Sequence, residues 1–224
     1  YAVADYRAEH VLSDPGIPVL WWRSVYSSQN PFASECFLDE CALAAGKDPL
    51  AFRLALLKEQ PRHAAVLKLA AQKAGWGRAV AKGHGLGLAM HASFGSYAAM
   101  VAEVSVEAGA PRVHRVVIAL DCGQVIHPDT IRAQLEGAVM FGLSAALHSR
   151  LTFKAGATVE GNFDGHSILR LPDAPRVEVH LVPSVAKPGG VGEPGVPVVA
   201  PAVANALFAA TGRRLRDLPL TLPS

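Results

Sequence analysis

The hydrophobic period of this 224-residue chain changes near Gly83, and that change narrows the folds open to it. Before it, apolar residues recur at helical spacing: Phe37, Leu38, Cys41 and Ala45, then Val66, Leu67, Ala70 and Ala74. After it, Val101, Glu103 and Ser105 alternate with Ala102, Val104 and Val106, the two-residue period of a strand. A strand over 98–107, a turn over 108–111 and a return strand over 113–121 form the expected hairpin. Helices are expected over 35–45, capped by Ser34 and stopped by Gly46, and over 50–57, with Asp48 as cap and Pro49 in the first turn. A third runs over 61–74 and ends at Gly75. A long helix from Pro128 to about His148 carries Ile131, Leu135, Val139 and Leu143 on one face. The remaining expectations are a loop and short strand over 1–28, an extended piece made of Gly85, Gly87 and 88–93, and a hairpin over 151–157 and 158–162. A strand over 176–182, a helix over 201–211 and an extended end over 218–222 complete the chain. The order lacks the regular alternation of a parallel sheet, so the fold class is α+β, mixed sheets with packed helices. The break near Lys82 separates a mostly helical segment, 1–82, from an α+β segment, 83–224.

Half the residues are hydrophobic and 18% are charged, enough apolar surface for a substantial core. A net charge of +2 is too balanced to favour nucleic acid or an anionic membrane surface. No run of 18 apolar residues marks a transmembrane helix, and no leader pattern stands at the start. The chain opens on Tyr1, not Met, as expected of a processed chain, a fragment or one segment of a larger protein. Three cysteines, Cys36, Cys41 and Cys122, exclude a complete disulfide framework and are too few for a cluster with four Cys ligands, so buried thiols are expected. Nine histidines make no H-x-x-x-H or H-E-x-x-H pattern, and no metal-ligating residue is expected.

The chemistry concentrates in one string, Pro188-Gly189-Gly190-Val191-Gly192-Glu193-Pro194-Gly195, which runs into the last helix. Glycine lets a backbone approach a ligand closely, and one carboxylate, Glu193, sits among the glycines as a candidate proton acceptor. Two readings stand side by side: a cofactor or substrate loop with an acid/base residue, or a tight surface turn with a solvated Glu193. A G-x-G-x-x-G match at Gly190, Gly192 and Gly195 would mark a dinucleotide site only with a strand before it and a helix plus strand after it. The chain ends soon after, at Ser224, and Pro194 interrupts the pattern.

Several strings taken together resemble the molybdenum-binding large subunit of the xanthine oxidase and aldehyde oxidase family, in the isoquinoline 1-oxidoreductase-like branch and in its C-terminal portion. They are Trp22-Arg23-Ser24-Val25 with Asn30-Pro31-Phe32; Glu35-x-Phe37-x-Asp39-Glu40; Gly46-Lys47-Asp48-Pro49 with Phe52-Arg53; and Ser93-Phe94-Gly95-Ser96-Tyr97 leading into Val101-Ala102-Glu103. Asp121-Cys122-Gly123 with Pro128-Asp129, Gln134-x-Glu136-Gly137 and Gly189-Gly190-Val191-Gly192-Glu193-Pro194 follow. No single string is decisive; their order and spacing make the match.

The resemblance implies part of a molybdopterin-binding domain and an oxidation of an aldehyde or N-heteroaromatic ring carbon, with water as the oxygen source. Hydride would pass to molybdenum and electrons to [2Fe–2S] clusters on a partner. It implies that Glu193 is the catalytic base, because a proton must leave as the C–O bond forms. Gln134, Gly190, Val191 and Gly192 would lie against the molybdopterin, in its cytosine dinucleotide form, with Ser93 and Gly95 toward its anionic tail. Arg23 and Phe32 would lie on the substrate side, with an ion pair from Arg23 to Glu35 or Asp39 as the alternative. The sequence departs from the family in its length and in lacking a Met-Gly-Gln-Gly-type string. A companion chain that completes the pterin site and a separate iron–sulfur partner chain are therefore implied, in the bacterial cytoplasm or periplasm. The rival reading is a non-catalytic assembly module or fragment of such a complex, whose Gly-rich loop packs a neighbouring chain.

Overall fold

The computed structural model describes residues 1–5, 7, 9 and 11–222; Tyr6, Ala8 and His10, within the loop expected over 1–28, lie outside the described residues, as do Pro223 and Ser224. Three helices come first, α1 (Asn30–Ala44), α2 (Pro49–Ala55) and α3 (Pro61–Ala74). Strands β1 (His84–Ser93), β2 (Ser96–Glu107) and β3 (Ala110–Asp121) follow, then α4 (Pro128–Leu147). The two-residue strands β4 (Phe153–Lys154) and β5 (Ala157–Thr158), strand β6 (Arg176–Leu181) and helix α5 (Val199–Thr211) complete the order. β1, β2 and β3 pair antiparallel, and β6 adds in parallel beside β3, giving one mixed sheet in the order β1-β2-β3-β6. The α+β class is borne out.

Local chemistry sets most of these elements. The Asp48 side chain caps α2 by accepting from Ala51 N at 2.8 Å. α3 ends on Gly75 in the left-handed conformation, as its sequence predicts. The turns Phe94-Gly95, Ala108-Gly109 and Ala155-Gly156 each place two residues at positive φ, the geometry that matches the strand twist of a tight hairpin. The third of these corrects the hairpin expected over 151–162, whose turn lies at Ala155-Gly156, before Ala157. α1 also starts earlier than expected, at Asn30; Pro31 is tolerated in its first turn, and Ser34, read as the cap, bonds back to Asn30 O at 3.1 Å instead. Among the described residues of 1–28 no strand forms, only a 3-10 turn over Val25–Ser27. The expected extended end carries no strand, but Leu220 is buried and its N–H donates to Ala146 O at 2.7 Å.

Both faces of the sheet are covered. Ala98, Met100, Ala102 and Val104 of β2, with Val116, Ile118 and Leu120 of β3, pack on α4 and α5. Ala99, Val101, Val117 and Ala119 point the other way, onto Val66, Leu67 and Ala70 of α3. This two-sided burial explains why these strands read as almost unbroken apolar runs. α5 crosses β1 so closely that a Cβ on Gly87 would lie 2.0 Å from Ala206 N, and one on Gly85 2.2 Å from Ala206 O. A buried ionic network ties the helices to β1. Arg53 donates to Glu35 Oε2 at 2.9 Å, Arg214 Nη2 lies 2.7 Å from Asp39 Oδ2, and Met90 N–H donates to Glu35 Oε2 at 3.2 Å. Buried charges of this kind persist only when paired. Among the described residues no helix is long and apolar enough to cross a membrane.

Candidate active site

The Gly-rich string occupies the loop between β6 and α5, and three backbone-directed bonds seat it on the end of the sheet. Gly189 N–H donates to Cys122 O at 2.8 Å, and Gly190 N–H to Phe94 O at 2.7 Å. The Ser96 hydroxyl donates to Gly190 O at 2.6 Å. A Cβ on Gly189 would sit 2.6 Å from Gly95 O, so the loop takes this path only with glycine there. The cradle brings Ser93, Gly95, Gly189 and Gly190 together. Ser93 Oγ, at the end of β1 beside the Phe94-Gly95 turn, is buried with no hydrogen-bond partner among the described residues.

A second cluster forms one residue pair further along. Arg23 Nε donates to Gly192 O at 2.8 Å, and its Nη2 reaches the same oxygen. Nη2 also lies 3.1 Å from both Gln134 O and Gln134 Oε1. Gln134 lies exposed on the second turn of α4, its Oε1 accepting from Arg23. Ser24 N–H donates to Glu193 Oε1 at 3.0 Å, and Ser24 Oγ to Glu193 O at 2.7 Å. Burial lowers the Arg23 pKa from its ordinary value, and the neighbouring Glu193 carboxylate opposes that shift. Beyond Arg23, Trp22 packs on Phe141 with ring centroids 4.6 Å apart. The two rings line a cavity of about 600 Å³ together with Arg150, His166 and Ile168.

The structure thus unites Arg23, Gln134 and the adjacent pair Gly192-Glu193, three places far apart in sequence. The alternative for Arg23, an ion pair with Glu35 or Asp39, is overturned: Arg53 and Arg214 take those carboxylates, and Arg23 turns to Gly192 and Gln134. Val191 is half-buried against the main core, and so is Phe32, which packs there from α1. Ser24 escaped sequence reasoning; its side chain carries no signal of the left-handed backbone, φ 81°, that aims it at Glu193. The dinucleotide pattern at Gly190, Gly192 and Gly195 has β6 before it and α5 after it, but no strand follows α5 among the described residues. No group of three His, Cys, Asp or Glu side chains is placed to hold a metal among the described residues.

Comparison with known proteins gives this geometry a lineage. Residues 56–175 match the model of the molybdopterin cofactor-binding domain. Over 98% of its length the chain is 37% identical to the membrane-bound aldehyde dehydrogenase (pyrroloquinoline-quinone) of Gluconacetobacter polyoxogenes. Over 98% it is also 35% identical to the beta subunit of isoquinoline 1-oxidoreductase from Brevundimonas diminuta, and 34% identical to a subunit of nicotinate dehydrogenase from Pseudomonas putida. The chain spans 32%, 29% and 21% of those relatives. Its fold matches the aldehyde oxidoreductase of Desulfovibrio desulfuricans with a TM-score of 0.75 at 14% identity, covering 89% of this chain and 40% of that one. With more than half of its residues inside the matched stretch, the chain belongs to the molybdopterin cofactor-binding domain family, as a region of a xanthine oxidase-type molybdenum-binding subunit.

Proposed function

We propose that this chain carries the proton-accepting part of the active site of a molybdenum hydroxylase, an enzyme that oxidises an aldehyde or an N-heteroaromatic ring carbon with oxygen from water. One observation carries the reading. Glu193 has one carboxylate oxygen held by Ser24 N–H at 3.0 Å, while the other, Oε2, accepts no hydrogen bond among the described residues. A carboxylate fixed at one oxygen and free at the other is suited to take a proton from a reacting group in a set direction. Glu193 would accept the proton released as oxygen is added to the substrate carbon.

The residues present fit a pterin. Gly192 leaves room where a side chain would stand, Ser93 Oγ is a buried hydroxyl with no hydrogen-bond partner among the described residues, and the exposed Gln134 donates no hydrogen bond from its amide nitrogen there. A flat heterocycle edged with nitrogen and oxygen needs such a surface. When bound, the molybdenum–pterin group supplies the two-electron redox chemistry. Gly190, Val191, Gly192 and Gln134 would hold it, with Ser93 and Gly95 toward its anionic end. Arg23 would face substrate only through Nη1, since Nε and Nη2 are engaged by Gly192 and Gln134. Phe32 is the second substrate-side residue of the proposal. The proposal also includes the cytosine dinucleotide form, a companion chain completing the pterin site and a partner chain bearing [2Fe–2S] clusters. These are supported by the family resemblance and by the naming of two relatives as subunits.

The test is Glu193→Gln in the molybdenum-containing complex purified through this chain. Turnover is expected to fall about a thousandfold, with metal content unchanged. Undiminished turnover would remove Glu193 as the base.

A further inference from the structure

We infer that Ser24 is the positioning residue of Glu193, an inference that rests on the reading of Glu193 as the base. Ser24 is fully buried, 0% exposed, and its backbone is left-handed, φ 81° and ψ 4°. Val25 follows at φ 42°. Two successive non-glycine residues at positive φ, the second β-branched, hold such a shape only when their surroundings impose it. The surroundings are a tight knot of bonds. Val25 N–H donates to Trp22 O at 2.8 Å, Ser27 N–H to Ser24 O at 2.9 Å, and the Ser28 hydroxyl lies 3.1 Å from Arg23 O and 2.6 Å from Val25 O.

The unusual backbone turns both donors of Ser24 onto one residue 169 positions away. Its N–H meets the Glu193 carboxylate and its hydroxyl meets the Glu193 carbonyl. Ser24 therefore holds both the carboxylate and the carbonyl of Glu193; that carbonyl also accepts from Val196 N–H at 3.0 Å, and Arg23 fixes the preceding carbonyl, that of Gly192. An extended backbone at Ser24 would point the two donors apart. The strap over 22–28 is thus the element that sets where the free Oε2 of Glu193 points. Backbone strain held in place by surrounding bonds clusters at sites that must be fixed.

Two variants separate positioning from mere folding. Ser24→Ala removes the hydroxyl and keeps the left-handed cost. Ser24→Gly removes the hydroxyl and relieves that cost. Both are measured in the purified complex beside Glu193→Gln, using whichever of benzaldehyde, isoquinoline and nicotinate the wild type oxidises fastest. The expected result is a kcat about tenfold lower in both Ser24 variants, with KM and molybdenum content unchanged. A crystal structure of Ser24→Ala is expected to have the Glu193 carboxylate displaced. Wild-type kcat in Ser24→Gly, an unmoved carboxylate in Ser24→Ala, or loss of molybdenum from both variants would overturn the inference. An active Glu193→Gln would overturn the base reading itself. An inactive Glu193→Gln beside fully active Ser24 variants would sink this inference alone.

Discussion

Arg62 donates from Nε and Nη2 to the two carboxylate oxygens of Asp121, at 2.7 and 2.6 Å. Asp121 Oδ1 also accepts from Gly123 N–H at 2.9 Å, and so shapes the turn whose Cys122 carbonyl seats Gly189. The Arg62 hydrogen bonds hold the Asp121 carboxyl below its ordinary range. A folded value below the unfolded one means stability that is present above the usual carboxylate range. It is lost as pH falls through the lower folded value. Asp121→Asn is expected to lower stability by about 2 kcal/mol at neutral pH. Wild type should also lose stability more steeply than the variant as pH falls from about 5 to about 2. Denaturant unfolding across that range measures both effects, and parallel curves would count against the linkage. Asp121 was legible as part of a family-like string; its partner was not, because Arg62 sits on α3 and meets it only when α3 lies on the sheet.

At the scale of elements, the sequence is most readable where each element carries its own instructions. α3 begins at Pro61 and ends on a left-handed Gly75, and its apolar positions face one side, so its bounds follow from local energetics. β1 is the opposite case. Gly85 and Gly87 bring no side chain to a strand, yet they are fully paired with Val104 and Ala102. Their purpose lies outside the strand: α5 packs its backbone against them. Gly87→Ala is expected to cost about 3 kcal/mol or more, because its Cβ would meet the backbone of α5, which cannot rotate aside as a side chain can. Ala102→Gly, on the partner strand, should cost less, about 1 kcal/mol. Thermal denaturation of the pair gives the comparison, and equal losses would mean that α5 shifts freely over β1.

At the scale of the whole molecule, several large apolar side chains among the described residues stand in solvent. Leu12, Leu20 and Trp21 are each about nine-tenths exposed, and Phe163 and Leu171 in the excursion between α4 and β6 are similar. Leu20 and Trp21 are adjacent in sequence, and apolar side chains exposed side by side favour association. The 224 residues alone are therefore expected to self-associate in solution, and Leu20→Ser with Trp21→Ser to reduce it; light scattering at increasing concentration measures this, and a monodisperse monomer would contradict it. The sequence by itself determined what is decided over a few residues: the α+β content, the α2 cap, the bounds of α3, the central hairpin and the Gly-rich loop with its one acid. Caps, turns and periodicity act within a turn or two of the chain, so their energetics are written locally. Only the tertiary structure decided that β6 would lie parallel beside β3 and that Arg23 would leave Glu35 for Gly192. It alone brought a left-handed Ser24 onto Glu193. These pairings span up to 169 residues, and no local preference encodes them. They follow from the packing of α4, α5 and the strap around one mixed sheet, where each donor takes the acceptor that burial leaves within reach.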